Sequence, residues 1–156
     1  MRLRISRLYP AHFYSLGVKT MEMTIKEYRF DPEETLRLYE SVGWTAYAAK
    51  PEKLQRAFEN SLSVHGAFDG EKLLGIIRAV GDGETIVFIQ DLLVFPEYQR
   101  KGVGRALMSA VLEKYRGVRQ IELATDDVPE TVGFYKALGF REMSELGCAG
   151  FMKMST

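Results

Sequence analysis

The sequence contains few of the residues that bind metals or form cross-links. Among its 156 residues are one cysteine, Cys148, and two histidines, His12 and His65. A single cysteine forms no disulfide within the chain, which is typical of proteins in a reducing compartment. One cysteine and two histidines are also too few for the common zinc sites. We therefore expect a cytoplasmic protein without a metal.

The chain also lacks an excess of charge of either sign and a long apolar run. Lysine plus arginine and aspartate plus glutamate each number 21, so the overall charge gives no reason to expect nucleic acid as a partner. No apolar run approaches the roughly 20 residues that a membrane-spanning helix needs. We expect neither a nucleic-acid nor a membrane partner, and a local basic patch needs a local explanation.

The first twenty residues contain no acidic residue and four basic ones. This composition resembles an organelle transit peptide, but it lacks the continuous apolar segment of a secretory signal. The alternative that we favour is an extension ahead of an internal start at Met21 or Met23. We expect residues 1–22 to be an N-terminal extension and residues 23–156 to form one domain.

The region that follows has signals for a strand and two helices. "MTIKEYRF" alternates apolar and polar residues, which predicts a first strand. In "DPEETLRLYESVGW", Asp31 is suited to cap a helix that begins at Pro32 and ends at Gly43. A second short helix is expected to begin at Pro51.

Turn signals and apolar runs predict the remaining elements. Turns at residues 69–70 and 81–83 separate three strands of an antiparallel meander. Beyond a glycine loop we expect a helix in "GRALMSAVLEKYRG", a strand in "QIELATD", a helix in "PETVGFYKALGF" and one or two strands in "REMSELGCAGFMKM". This order predicts a mixed α+β fold, with a central sheet and helices on its faces.

The glycine loop, "PEYQRKGVGRAL", is rich in basic residues. A helix that begins at Gly102 exposes its first backbone N–H groups, which together with the helix dipole form an anion site. Gly102 and Gly104 carry no Cβ that would keep a phosphate away from the backbone. Arg100, Lys101 and Arg105 add positive charge. The segment is therefore either a diphosphate site or a solvated basic loop.

Neither a Walker loop nor a dinucleotide fingerprint matches this segment, because the required glycine spacing is absent. "QRKGVG", preceded by "DLLVFPEY" and followed about thirty residues later by "FYKALGF", resembles instead the motifs of the GNAT superfamily of acetyl-CoA-dependent N-acetyltransferases. The resemblance covers about residues 23 to 154. It implies a GNAT-like fold, in which the fourth and fifth strands of a mixed, mainly antiparallel sheet splay apart.

The resemblance also implies where acetyl-CoA would bind. The fourth strand bulges away from the fifth, so that backbone groups of Leu92 and Val94 pair with the pantetheine arm and an N–H polarises the thioester carbonyl. The pyrophosphate would be held by the glycine loop, whose residues are Gln99, Arg100, Lys101, Gly102, Val103, Gly104 and Arg105.

Two residues are candidates for proton transfer. The acceptor ammonium must lose a proton before its nitrogen attacks, and the departing sulfur gains one. Tyr135 in "FYKALGF" matches the tyrosine that protonates the sulfur in the family; otherwise it is a buried core residue. Asp91 is the candidate base, although the "ED" pair of some members reads Gln90 and Asp91 here. The alternatives are a water as the base, or Asp91 as a group that orients the amine or ties down the bulge.

The acceptor site is expected between the first strand and the meander. Trp44 and Tyr47, in the loop between two predicted helices, could line an amine pocket with Gln90 through stacking or cation–π contact. Otherwise they form a lid on the sheet. Cys148 has no neighbouring base and is expected to be a small buried residue rather than a nucleophile. His65 is expected to be structural or exposed rather than catalytic.

Together these features predict an N-acetyltransferase that moves an acetyl group from acetyl-CoA to a primary amine by direct attack. The aromatic loop favours a small-molecule amine over a protein lysine or N-terminus. A non-catalytic acyl-CoA-binding module is the alternative from another class, and it would not need Tyr135. We expect a monomer or a homodimer.

Overall fold

A computed structural model describes residues 21–155 of the chain. These residues form two compact units, residues 21–123 and residues 124–155. The N-terminal extension expected at residues 1–22 lies outside the described residues except for its last two. That residues 23–156 act as one domain stays a prediction.

A five-stranded sheet forms the centre of the first unit. In spatial order its strands are β1 (Met23–Glu27), β2 (Ser63–Asp69), β3 (Lys72–Gly81), β4 (Ile86–Val94) and β5 (Gln120–Leu123). Neighbours from β1 to β4 run antiparallel, whereas β4 and β5 run parallel. The meander predicted from the two turn signals is confirmed, and so is the mixed, mainly antiparallel sheet.

The first unit also contains a 3-10 turn at Pro96–Tyr98 and four α-helices: α1 (Pro32–Ser41), α2 (Thr45–Ala48), α3 (Pro51–Glu59) and α4 (Val103–Lys114). Asp31 caps α1 as predicted, because its side chain accepts a hydrogen bond of 2.8 Å from the backbone N–H of Glu34. The start of α3 at Pro51 is confirmed. The one-turn helix α2 lies in a segment for which the sequence predicts only a loop.

Helices cover both faces of the sheet. Residues 73–79 of β3 are buried without interruption, as in a strand that has a helix layer on each side. One core cluster joins Leu38 of α1 and Phe58 of α3 to Ile76 and Leu93 of the sheet. The buried side of α4 packs on β3 and β4 outside that cluster, from the opposite face.

A bulge in β4 changes which face its side chains reach. Arg78 of β3 pairs with Asp91, but the next residue, Ala79, pairs with Ile89, so that Gln90 is an extra residue. Directly opposed residues share a face of the sheet. Asp91 therefore points to the face covered by α1 and Ile89 to the face covered by α4, although buried positions alternate evenly along β4.

The second unit contains α5 (Pro129–Lys136) and a 3-10 turn at Met143–Leu146. The helix that begins at Pro129 is confirmed. The one or two strands predicted in residues 141–154 are wrong, because no strand occurs in residues 124–155. The pattern in the sequence shows which residues suit a strand, but a strand also needs a hydrogen-bonded neighbour, which a pattern cannot supply.

Candidate active site

One edge of β4 is open towards its C-terminal end. β5 pairs with residues 86–89 of β4 and ends at Leu123, opposite Ile89. Residues 91–94 continue to pair with β3, and no strand within residues 21–155 pairs with their other edge. The splayed pair of strands implied by the resemblance is therefore present, and it begins at the bulge.

The backbone groups of Leu92 and Val94 point towards this open edge. The N–H of Phe95 donates to the carbonyl oxygen of Leu74 at 3.0 Å, which extends the β3–β4 ladder by one residue. In an antiparallel ladder every second residue directs its N–H and C=O groups to the partner strand. Phe95 and alternate residues before it bond to β3, whereas Leu92 and Val94 face away. In agreement, Nε2 of Gln99 donates to the Val94 carbonyl oxygen at 3.0 Å.

The loop after β4 leads into a helix start that has no side-chain cap. Arg100 has φ +60° and Gly102, the N-cap of α4, has φ +86°, so the chain turns sharply into the helix. The first intrahelical bond runs from the N–H of Ala106 to the carbonyl oxygen of Gly102 at 3.0 Å. The N–H groups of residues 103–105 are therefore available to an anion.

Positive charge surrounds this helix start. Arg100, Lys101 and Arg105 are exposed, and none of them forms an ion pair with another residue in 21–155. Lys101 and Lys72 both lie over the ring of Tyr98, with Nζ 5.6 Å and 4.9 Å from its centroid. The sequence does not indicate Lys72, because it comes from the start of β3. The arrangement of cations and free N–H groups suits a phosphate ligand.

Asp91 lies in a buried polar network on the α1 face. Its Oδ2 forms an ion pair with Nε of Arg78 and accepts a hydrogen bond of 2.7 Å from the hydroxyl of Tyr39. Asp91 is 1% exposed, and its Oδ1 has no hydrogen-bond partner within the described part of the chain. Burial, and then the charge of Asp91, raises the pKa of Tyr39, so that its hydroxyl remains a donor.

This position bears on the roles considered for Asp91. A general base has to reach the proton that it removes, directly or through one water. The carboxylate is covered, so the base role stays a prediction that needs a bridging water. The contacts with Arg78 and Tyr39 instead suit a group that fixes the bulge or orients the amine.

Arg78 and Tyr39 are not among the residues that the motifs in the sequence single out. Arg78 does have a signal in the sequence, because it interrupts the apolar run "LLGIIRAV", which is typical of a strand buried on both faces. An arginine in such a strand is almost always paired with an acidic residue. Tyr39 gives no comparable signal, since its position in α1 is that of an ordinary core residue.

Trp44 and Tyr47 form a cluster of rings with Tyr39. The ring centroid of Tyr39 is 6.1 Å from that of Trp44 and 6.0 Å from that of Tyr47, and the other two are 5.6 Å apart. Trp44 is 37% and Tyr47 44% exposed, whereas Tyr39 is buried. The two predicted acceptor residues thus contact the tyrosine that binds Asp91, and Gln90 precedes Asp91 at the bulge.

Tyr135 lies in the second unit, on α5. Its ring packs edge-to-face on Phe134 and Phe140, with centroids 5.1 Å and 5.9 Å away. Burial raises the pKa of Tyr135, so its hydroxyl carries a proton at neutral pH and can donate it. The role of Tyr135 as an acid stays a prediction.

Two further predictions concern Cys148 and His65. Cys148 is exposed, so the expectation of a buried residue is wrong; it lies in a segment without regular secondary structure. His65 is half-buried, and burial lowers its pKa.

None of the helices in residues 21–155 combines the length and the apolar character needed to cross a bilayer. In the same residues no group of three or more His, Cys, Asp or Glu side chains could hold a metal ion.

The sequence model of the acetyltransferase (GNAT) family matches residues 22–140 of this chain. The chain belongs to the GNAT family of acetyltransferases. The matched family is a family of acyltransferases.

Solved structures and a curated relative agree with the family. The GNAT family acetyltransferase SP0256 from Streptococcus pneumoniae TIGR4 has a TM-score of 0.76 and 40% identity, covering 85% of this chain and 98% of its own. The PaiA N-acetyltransferase from Thermoplasma acidophilum, in complex with coenzyme A, has a TM-score of 0.64 and 22% identity, covering 78% and 91%. Serotonin N-acetyltransferase 2, chloroplastic, of Oryza sativa subsp. japonica is 34% identical over 93 residues, 57% of this chain and 46% of its own length. The chain spans less than two thirds of the length of the curated relatives that it matches first.

Proposed function

We propose that this acetyltransferase moves the acetyl group of acetyl-CoA to the primary amine of a small molecule, by direct attack in a ternary complex. The observation that carries the proposal is a continuous feature of the first unit. The open edge of β4 runs into the uncapped start of α4, so that free backbone groups are followed by an anion site.

The two parts of this feature suit the two ends of a CoA thioester. Leu92 and Val94 present N–H and C=O groups to which the amides of a pantetheine arm can bond as a neighbouring strand would. The N–H groups of residues 103–105, with Arg100 and Lys101 beside them, suit the pyrophosphate. Gln99 at present occupies the Val94 carbonyl oxygen, so its side chain has to share or release that bond when the arm binds.

The reaction forms a C–N bond and breaks a C–S bond. The neutral amine nitrogen attacks the thioester carbonyl carbon, and the electrons of the C–S bond leave with the sulfur. In the proposal, Tyr135 gives its phenolic proton to that sulfur, the nitrogen of the new amide releases its extra proton to water, and Tyr135 is later reprotonated from water. Because burial raises its pKa, Tyr135 retains this proton over the whole neutral range.

The ammonium of the acceptor has to lose a proton before it attacks. Asp91 is covered by protein and shares its Oδ2 with two donors, so we assign removal of the proton to a water rather than to direct contact with the carboxylate. Asp91 Oδ1 can accept a hydrogen bond from that water, which in turn contacts the amine. The carboxylate then orients the amine.

The exposed rings of Trp44 and Tyr47 favour an acceptor that is itself aromatic. These two rings have centroids 5.6 Å apart and an interplanar angle of 31°, so they offer both a stacking surface and a cation–π surface. A relative of 34% identity is named for acetylation of serotonin, an aromatic amine. A protein lysine is the second candidate acceptor, although no feature of the described residues favours it.

A panel of acceptors tests this proposal. We expect release of the CoA thiol from acetyl-CoA with 2-phenylethylamine and tryptamine, and a kcat/KM about 5-fold to 10-fold lower with 2-cyclohexylethylamine, which has the same shape without a π face. Lysine-containing peptides serve as the comparison for a protein acceptor. Thiol release with peptides alone would overturn the small-molecule assignment. Absence of a calorimetric signal with acetyl-CoA would overturn the cofactor site itself.

A further inference from the structure

A single buried side chain connects the two halves of the acceptor site. Tyr39 donates its hydroxyl to Asp91 at 2.7 Å, and its ring packs on both Trp44 and Tyr47. We propose that Tyr39 is a positioning residue, which fixes the carboxylate that receives the amine relative to the rings that receive the aromatic body of the acceptor. The inference rests on the proposed function.

The hydroxyl of Tyr39 decides which oxygen of Asp91 is available. Tyr39 and Arg78 both bind Oδ2, so the carboxylate is held in one rotation and Oδ1 is left as its only vacant acceptor. A buried acceptor without a donor is unfavourable, and native proteins satisfy nearly all such atoms with protein, water or ligand. Oδ1 is therefore the atom to which a water that bridges to the bound amine would donate.

The ring of Tyr39 supports the aromatic side of the site without touching the acceptor. Tyr39 is fully buried, whereas Trp44 and Tyr47 are partly exposed above it. A tyrosine side chain has only two rotatable bonds before its ring, so the distance between ring cluster and carboxylate is set by a stiff connection. Such a connection selects acceptors by the spacing between their ring and their amine.

The bulge places Asp91 and the side chains that bind it beside the open edge of β4. Asp91 follows the extra residue, Gln90, and precedes Leu92, whose backbone groups face the open edge of β4. A shift of Asp91 would therefore misplace the amine relative to the thioester carbonyl. Such a shift reduces the rate even when both substrates still bind.

Replacement of Tyr39 by phenylalanine keeps the ring and removes the hydroxyl. For Tyr39→Phe we expect kcat/KM for 2-phenylethylamine to fall about 10-fold to 100-fold, because a hydrogen bond to a charged group is lost. The KM for acetyl-CoA should change less than about twofold, and the preference for the phenyl over the cyclohexyl amine should persist, because the ring remains. Steady-state kinetics with each substrate varied in turn measures all three.

Tyr28 provides a matched control. It is also a buried tyrosine of the core cluster, and its hydroxyl shares a single hydrogen bond of 2.9 Å with Thr35, away from Asp91. Tyr28→Phe loses a hydrogen bond to a neutral group, so it should lower the thermal midpoint somewhat less than Tyr39→Phe does and leave kcat/KM for the amine unchanged. Equal kinetic losses in the two variants would show that Tyr39 acts only through stability, and unchanged kinetics in Tyr39→Phe would equally overturn the inference.

Different outcomes would overturn the proposed function and the role of Tyr39. If the wild-type chain releases thiol with no amine, the proposed function is wrong and the role of Tyr39 is wrong with it. If the wild-type chain acetylates 2-phenylethylamine and Tyr39→Phe does so equally well, only the role of Tyr39 is overturned.

Discussion

The carboxylate of Asp91 depends on the cation beside it for its stability in the protein interior. Arg78 supplies that cation, and Nη1 of Arg78 also donates to Ser61 Oγ at 3.2 Å. The side chains of the pair are only 0% and 7% exposed, so water contributes little to their solvation. Removal of one partner leaves a buried charge without compensation, which costs far more than removal of both.

Arg78→Met should therefore lower the free energy of unfolding by about 3 to 5 kcal/mol. The double variant Arg78→Met with Asp91→Asn removes both charges but keeps an oxygen that can accept from Tyr39. We expect it to be more stable than Arg78→Met alone by at least about 1 kcal/mol. Urea unfolding of the wild type, Arg78→Met and the double variant measures their free energies of unfolding. A double variant less stable than Arg78→Met would show that an uncompensated charge does not cause the loss of stability.

Tyr135 is the residue whose role is most directly tested by removing one atom. Tyr135→Phe should lower kcat about 100-fold, because a general acid contributes roughly 100-fold to 10,000-fold. Acetyl-CoA affinity, measured by calorimetry, should remain within about twofold. Tyr115→Phe, at a buried tyrosine after α4, is the control and should retain full kcat. If Tyr135→Phe retains the wild-type kcat, Tyr135 is not the general acid, and water protonates the sulfur instead.

At the scale of secondary-structure elements, the start of α4 gives a prediction about cofactor affinity. Gly102 has φ +86°, a conformation that costs an alanine about 1 to 2 kcal/mol. Because a Cβ there meets no atom within 4 Å, that conformational strain is the main effect of Gly102→Ala on the free protein. Binding suffers in addition, because strain shifts the N–H groups that should receive the pyrophosphate. We expect the Kd for acetyl-CoA to rise on the order of 10-fold.

Gly70→Ala is the matched comparison for this change. Gly70 lies in the turn between β2 and β3 with φ +61°, and a Cβ there likewise meets no atom within 4 Å. Thermal unfolding should show a similar loss of stability in both variants, while only Gly102→Ala binds acetyl-CoA more weakly. A parallel loss of affinity in Gly70→Ala would mean that general destabilisation explains the effect.

Elements whose signals are local could be predicted from the sequence. Asp31 caps α1, Pro51 begins α3, and glycines mark the turns of the meander, because each signal acts within a few residues of the chain. The glycine loop is continuous in the same way, so the uncapped helix start and the exposed cations beside it could be predicted. The conformation of residues 141–154 was not predictable, since their pattern suits a strand but strand formation depends on pairing with a distant segment.

The polar network was beyond prediction for a different reason. Tyr39, Arg78 and Asp91 come from α1, β3 and β4, and only their meeting in space gives them meaning. The facing of Asp91 was also hidden. Buried residues alternate evenly along β4, which predicts one common face, and only the pairing with β3 reveals the extra residue.

Across the whole molecule positive and negative charges cancel, but the cations are not evenly placed. The formal net charge is zero, yet the start of α4 has exposed cations at Arg100, Lys101 and Arg105 that have no acidic partner in residues 21–155. Salt screens charges that lie more than about 8 to 10 Å apart, so a phosphate at this helix start experiences the local charge and not the total. Overall composition therefore gave no indication of an anionic ligand.

The extra residue in β4 has a consequence for how such a chain could diversify. Loss of the codon for Gln90 would restore a regular ladder in which Ala79 stays opposite Ile89 and Arg78 stays opposite Asp91, so the acid would keep its layer of the molecule. A lineage could therefore straighten the bend that the bulge gives this strand without losing its polar centre.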